Sequence, residues 1–227
     1  MTNDKLIVKN TVFMAVRMVI TMAISLYTSR VVLAQLGITD YGIFIVVAGL
    51  TVIMSFFTSA LTAAIQRYMN FELGLTGGRG MQQIFAACWV CVVLIAILFV
   101  GLAETGGMWF LGSELDIPAG RMADARMVLH MSMLIVVVEM CRVPYNSLII
   151  AHERMSFYAY NSIVESLLKL LAVIALSLIC GDKLIVYMGL LIVVSFLINA
   201  SYIVYCRHYF PGIRFSLRAN VAKVKEI

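Results

Sequence analysis

Five ionisable side chains stand where an apolar chain should carry none. Arg17, Glu139, Arg142, Glu165 and Lys169 interrupt long runs of Ile, Leu, Val, Met and Phe. Three cations against two carboxylates leave a small positive excess. Guanidinium groups bind phosphate and carboxylate oxygens bidentately, so the set suits an anionic ligand. The spacing offers each group a second account. Glu165 and Lys169 lie at i, i+4 and Glu139 and Arg142 at i, i+3, so each couple can neutralise itself on one helix face. The stems of Arg17 and Arg142 are long enough to carry their charges to a headgroup layer. His130 has no partner visible in the sequence, and a hydrogen-bonded packing role competes with proton relay. Pro144 removes the helix hydrogen bond to the Met140 carbonyl, so a bend beside Arg142 is expected, either static or a hinge.

Other motifs argue against chemistry. Cys88 and Cys91 spell C-x-x-C, but no His or second Cys pair completes a metal site. The five cysteines (Cys88, Cys91, Cys141, Cys180 and Cys206) fall in or beside apolar runs, so no disulfide framework, metal or cofactor is indicated. Gly77, Gly78 and Gly80 around Arg79 read as a flexible loop; no Gly-Lys-Ser/Thr follows to cradle phosphate. His152 and Glu153 share one short turn, and Glu104, Glu114, Asp116 and Asp124 read as a solvated loop. An enzyme is not indicated.

The elements that must position these residues follow from composition. A chain of 227 residues that is 63% hydrophobic and 13% charged cannot make an ordinary soluble domain. The net charge of +5 invites a nucleic-acid reading, but the Lys and Arg are scattered between apolar runs rather than gathered in a patch. An all-α polytopic transmembrane bundle in a lipid bilayer is expected instead. Crossing a hydrocarbon core takes roughly 20 apolar residues. Six stretches qualify: Thr11 to Leu33, Tyr41 to Ile65, Ile84 to Ala103, Ala123 to Ile150, Tyr158 to Cys180 and Leu184 to Cys206. The first is longer than a signal-peptide core and lacks a cleavage site, so it stays as a span.

Lys5, Lys9, Arg67, Arg79, Arg154 and the basic residues from Arg207 onward then share one side. The positive-inside rule makes that side, with both termini, cytoplasmic.

Polar residues recur along five of the six spans. Asn10, Arg17, Thr21, Ser25 and Thr28 mark the first; Thr51, Ser55, Ser59, Thr62 and Gln66 the second; Ser132, Glu139, Arg142 and Asn146 the fourth. The fifth has Asn161, Glu165 and Lys169, and the sixth Ser195, Asn199 and Tyr202. The third has none, which predicts a peripheral helix. Hydroxyl stripes alone fit tight helix packing. Ionised groups must face protein, water or one another, and the similar depth of all five predicts a water-filled cavity open to the cytoplasm. Between the first two spans, Gly37 can end a helix in a left-handed conformation and Thr39 or Asp40 can cap the next.

Three segments carry a family resemblance: RVVLAQLGITDYGIF from Arg30 to Phe44, QRYMNFELG from Gln66 to Gly74, and VPYNSLIIAHERMSFYAY from Val143 to Tyr160. In this order they resemble the polysaccharide-biosynthesis flippases of the multidrug/oligosaccharidyl-lipid/polysaccharide superfamily. The resemblance implies one six-span lobe of a two-lobe transporter like the multidrug and toxic-compound extrusion proteins. The implied activity is transfer of an undecaprenyl-diphosphate-linked glycan across the bacterial inner membrane for surface polysaccharide synthesis. It would place Arg17 and Arg142, and more weakly Lys169, on the diphosphate or acidic sugars, with Arg30 at the outer mouth. Glu139 or Glu165 would carry a coupling proton or tune the cations, and Pro144 would be the hinge. Members of that superfamily have about twice this length. Residues 1–206 would then be the N-terminal lobe and 207–227 a basic linker, the partner being either a missing C-terminal lobe or a second copy. A cation-coupled multidrug exporter of the same fold and a non-transporting membrane scaffold are the competing expectations.

Overall fold

A long apolar segment in hydrocarbon can satisfy its own backbone only as a helix. The computed structural model describes residues 3–113, 119–179 and 181–213, and these are helical nearly throughout, with no strand among them. In chain order come α1 (Asn3–Thr76), α2 (Met81–Leu102), a π-helical turn (Ala103–Gly107) and α3 (Met108–Ser113). A 3-10 turn (Ala119–Arg121), α4 (Met122–Ala151), α5 (Met155–Ala175), a second 3-10 turn (Leu176–Leu178) and α6 (Lys183–Tyr209) follow. Five helical segments are long and apolar enough to cross a membrane: Thr11–Gly49, Met81–Ser113, Met122–Ala151, Met155–Leu178 and Lys183–Tyr209. The last four coincide with expected spans. Glu114, Asp116, Cys180 and the basic tail from Arg214 onward lie outside the described residues, as do the side chains of Asn10, Thr51 and Ser55.

The first two expected spans do not separate into two elements. Helical structure continues from Asn3 to Thr76, and only Gly37 leaves it, at φ 77° and ψ 174°. This is not the left-handed helical conformation that the sequence suggested; it is an extended, positive-φ region open essentially to glycine alone. One residue is enough to turn the chain back. Phe13 on the first arm meets Tyr160, near the start of α5, at 6.1 Å between ring centroids. Ile65 and Met69 on the second arm share a core with Tyr145 and Leu148 of α4, against which Phe157 and Tyr158 pack. Straight helix would hold Phe13 and Met69 roughly 80 Å apart. Near the reversal, Val32, Leu36, Ile43 and Val47 pack instead with Ala125 and Leu129 of α4 and Leu184 and Tyr187 of α6.

Asp40 is not a helix cap. Its carboxylate accepts from Arg121 Nη2 at 2.9 Å, and Arg121 Nη1 also binds Asp124 at 2.8 Å and Asp182. A single guanidinium therefore ties the Gly37 end of α1 to the starts of α4 and α6. Asp182 is also the N-cap of α6, accepting from the Leu184 amide at 3.1 Å. Hydrogen bonds to Asp124 and then Asp182 push the affinity of Arg121 for its proton further up.

α2, expected as a peripheral helix, packs against the bundle by one face. One face of α2 buries Phe85, Ala87, Cys88, Trp89 and Val92, and the Phe85 and Trp89 rings meet Tyr145 of α4 at 5.3 and 5.8 Å. Its other face exposes Leu94, Ile97, Leu98 and Leu102. The first arm of α1 and α5 are the most open segments, with 28% of the Thr11–Gly49 window and 22% of the α5 window buried, against 50% for Met81–Ser113 and for α4, which also carries a polar stripe. A polar stripe needs water or a polar partner.

Two expected loops and one lone residue also acquire partners. The glycine-rich turn after α1 is held rather than loose: Glu72 Oε1 accepts from the Gly80 amide at 2.8 Å and from Thr76 Oγ1 at 2.6 Å. A Cβ at Gly80 would lie 2.2 Å from that same oxygen. His130 Nε2 faces Glu104 Oε1 at 3.2 Å, and its Nδ1 lies 2.6 Å from the Arg126 carbonyl. α4 continues unbroken past the buried Pro144.

Replacing Gly37 by alanine forces a Cβ into the ε region, so Gly37→Ala should cost about 1–3 kcal/mol. Thermal unfolding in detergent micelles reads this as a lowered midpoint; an unchanged midpoint would show that the reversal tolerates a side chain.

Candidate functional site

The polar residues converge where the first arm of α1, α4, α5 and α6 meet. On α5, Tyr158, Ser162, Glu165, Ser166 and Lys169 recur every three or four residues and so share one face. With Arg17 and Thr21 of α1, Arg142 and Asn146 of α4 and Tyr202 of α6 they line a cavity of about 310 Å³. Glu165 is its centre. Arg142 Nη1 donates to Glu165 Oε2 at 2.8 Å across the helix pair, and Lys169 Nζ donates to Glu165 Oε1 at 2.8 Å along α5. The Arg142 guanidinium also lies over the Tyr202 ring at 5.6 Å, and that of Arg17 over Tyr158 at 4.8 Å. Such cation–π contacts hold a charge in place without neutralising it.

Four of the five expected charges are thus brought together. Glu139 is half-buried on α4 and does not line the cavity; Arg142 turns from it to Glu165. Glu165 and Lys169 make the pair their spacing allows, but Arg142 completes a bridge between helices that spacing within one helix could not reveal. Arg17 and Arg142 face aromatic rings and the cavity. Arg30 is exposed and lines neither this cavity nor its neighbour. Pro144 is buried in α4 between Arg142 and Asn146.

Three cations face one carboxylate in the lining, which leaves the lining positive, while Glu139 outside it still acts on Arg142 electrostatically. Two lining atoms, Arg17 Nε and Asn146 Oδ1, are buried without a hydrogen-bond partner. Such atoms are not confined to the cavity, since Asn161 Nδ2 and Asn199 Oδ1 are buried in the same way. Three other stripe residues tie helices or turns together. Asn161 accepts from Ser201 Oγ at 2.9 Å, Asn199 donates to the Val138 carbonyl at 3.1 Å, and Ser132 Oγ donates to the Val128 carbonyl at 2.8 Å.

A second cavity of about 310 Å³ adjoins the first and shares Ser166 and Lys169 with it. Its other walls include Ser25, Thr28 and Ser29 of the first arm of α1, Tyr41 and Phe44 beyond the reversal, and Tyr187 of α6. Tyr158 and Tyr41 stand in the sequence as the first residues of expected spans, yet both are cavity walls. Tyr158 was detectable, because it falls in phase with Ser162, Glu165 and Lys169.

The described residues include no group of His, Cys, Asp and Glu placed to hold a metal ion, and Cys88 and Cys91 are free thiols on the packed helix α2. The arrangement has the charge and the donors to bind and orient an anion. Set against family models, curated proteins and solved structures, the chain matches none.

Neutralising the central carboxylate leaves Arg142 and Lys169 facing each other uncompensated, so Glu165→Gln should cost about 1–3 kcal/mol by thermal unfolding. Lys169→Met, which removes the more exposed partner, should cost less. At the opposite end, Arg121→Ala leaves three carboxylates in mutual repulsion. The variant should melt below wild type at neutral pH and recover part of the difference as acidification protonates them. A deficit independent of pH would show that Arg121 acts through packing alone.

Proposed function

We propose that this chain is one lobe of an inner-membrane flippase that carries a polyprenyl-diphosphate-linked oligosaccharide from the cytoplasmic to the periplasmic leaflet. The observation that carries the reading is the cationic cavity, with Arg17, Arg142 and Lys169 against Glu165 alone. A diphosphate and its sugars cannot cross hydrocarbon unaided, while a lipid tail can remain in it. A hydrated, positively charged cleft beside the acyl region supplies what the polar part needs, and guanidinium is the group best matched to phosphate oxygens. An exporter of cationic drugs would need the opposite charge balance.

The membrane arrangement that goes with this function has six crossings, with Tyr41 to Ile65 returning through the bilayer after Gly37. Charge distribution supports the direction. Arg67, Arg79, Arg154 and Arg207 lie toward the end with the α4–α5 turn, which we take as cytoplasmic. Asp40, Asp124, Asp182 and Glu104 lie toward the Gly37 end. The open polar faces of α1 and α5 call for a facing lobe, supplied by a further part of the protein or by a second copy, and alternating access would follow from rocking of the two.

In cells producing the complete protein, Arg17→Ala and Arg142→Ala should each lower surface glycan about tenfold or more, the loss expected of one charge-assisted contact. Protein abundance in the membrane should not fall with it. Arg17 makes no ion pair among the described residues, so it is the cleaner probe. Wild-type glycan levels in both variants would reject the flippase reading, and a parallel fall in abundance would assign the arginines to folding.

A further inference from the structure

The first cavity already holds an anion, and that anion belongs to the chain. Glu165 stands between Arg142 and Lys169 with one carboxylate oxygen committed to each: Oε2 accepts from Arg142 Nη1 and Oε1 from Lys169 Nζ, both at 2.8 Å. A phosphate is bound in the same manner, several oxygens of one charged group each meeting an N–H donor at that range. The side chain of Glu165 is only 17% exposed and is carried by the middle of α5, so its position is built into the bundle. Arg17 stands apart on the same lining, over the Tyr158 ring and in no ion pair among the described residues. The three cations are therefore unequal. One has its charge open to a ligand, while the other two have theirs answered from inside.

Arg142 and Lys169 keep further N–H groups. A ligand phosphate that used those alone would lie against the Glu165 carboxylate, like charge beside like charge, which is costly in a half-buried site. Taking the place of the carboxylate relieves that repulsion and gains both cations. The exchange also suits a carrier, whose site must bind well enough to load and weakly enough to unload. From the bridging position of Glu165, and its likeness in charge and reach to a phosphate, we infer that Glu165 is a built-in competitor of the ligand. It keeps Arg142 and Lys169 paired, yields them to a diphosphate that also engages Arg17, and reclaims them on release. This rests on the flippase reading, and it adds that the same carboxylate which holds the cavity together lowers its affinity for the cargo.

The test is calorimetric titration of the full chain in lipid nanodiscs with two probes, inorganic pyrophosphate and a short isoprenyl diphosphate. Glu165→Gln, which cannot compete as an anion, should bind both about tenfold tighter than wild type. A carboxylate that only held the fold would give the opposite sign, since its removal would loosen the site. Glu165→Asp keeps the charge but shortens its reach by a methylene, so its grip on the two cations fails; binding should tighten again, by about threefold. Glu139→Gln removes an equal charge that acts on Arg142 from outside the lining and so measures the through-space share alone. It should tighten binding less than Glu165→Gln does. Glu165→Asp, the milder change, carries the comparison should Glu165→Gln fail to fold. Affinity that falls or holds in either Glu165 variant, or equal tightening by Glu139→Gln, would overturn the competitor role while leaving the flippase reading intact. Failure of every form to bind either probe would remove both.

Discussion

The two-sided contact of Glu165 with Arg142 and Lys169 is the interaction on which the wet side of this bundle depends. An isolated charge among apolar helices costs several kcal/mol, and two cations held close without a carboxylate between them cost more. Glu165 permits Arg142 to come from α4 and Lys169 from α5 to one place, and the Tyr202 ring takes the other face of the Arg142 guanidinium. Arg17, placed over Tyr158 instead, keeps its charge unspent. At the far end Arg121 mirrors the device with the signs exchanged, one cation among Asp40, Asp124 and Asp182. Two ionic knots of opposite polarity thus tie the helices together, one at mid-length of α5 and one at the Gly37 end.

Between the knots the helices divide labour by composition. α2 and the facing side of α4 form a dry wall from Phe85, Cys88, Trp89, Val92, Val136, Met140 and Tyr145. Its aromatic corner, with Tyr145 edge-on to both Phe85 and Trp89, gives this wall fixed geometry. The first arm of α1 and α5 form the wet wall and are correspondingly the less buried. Near the α4–α5 turn, Arg154 lies 4.1 Å from the Tyr209 ring centroid and donates to the Tyr205 hydroxyl at 3.2 Å. This pins the turn to the end of α6, so the dry wall and the wet wall meet at a fixed angle there.

Much of this arrangement was legible in the residues. Blocks of apolar sequence located α2, α4, α5 and α6, because burial of backbone polar groups in hydrocarbon leaves helix as the only solution. The charges Arg17, Arg142, Glu165 and Lys169 announced a common site, because none could remain alone. The partnerships were not legible. Glu165 selects Arg142 over its i, i+3 neighbour Glu139's claim through an inter-helix distance that no one-dimensional spacing encodes, and the same is true of Arg121 with Asp40 and Asp182. The α2 span takes a lateral place, as its lack of polar residues suggested, with one face buried on α4. Polar stripes occur both on the open α5 and on the half-buried α4, so a stripe alone does not tell cleft from core. Gly37 was recognised as a break, but its extended ψ follows from the packing of the two arms against α4 and α6, not from local preference.

The reversal at Gly37 bears on how the chain assembles. Joining two antiparallel helices usually requires a loop whose ends must find each other, and the entropy of closure grows with loop length. Here the connection is a single residue, so almost no loop entropy is spent in bringing Val32 and Leu36 into the same core as Ile43 and Val47.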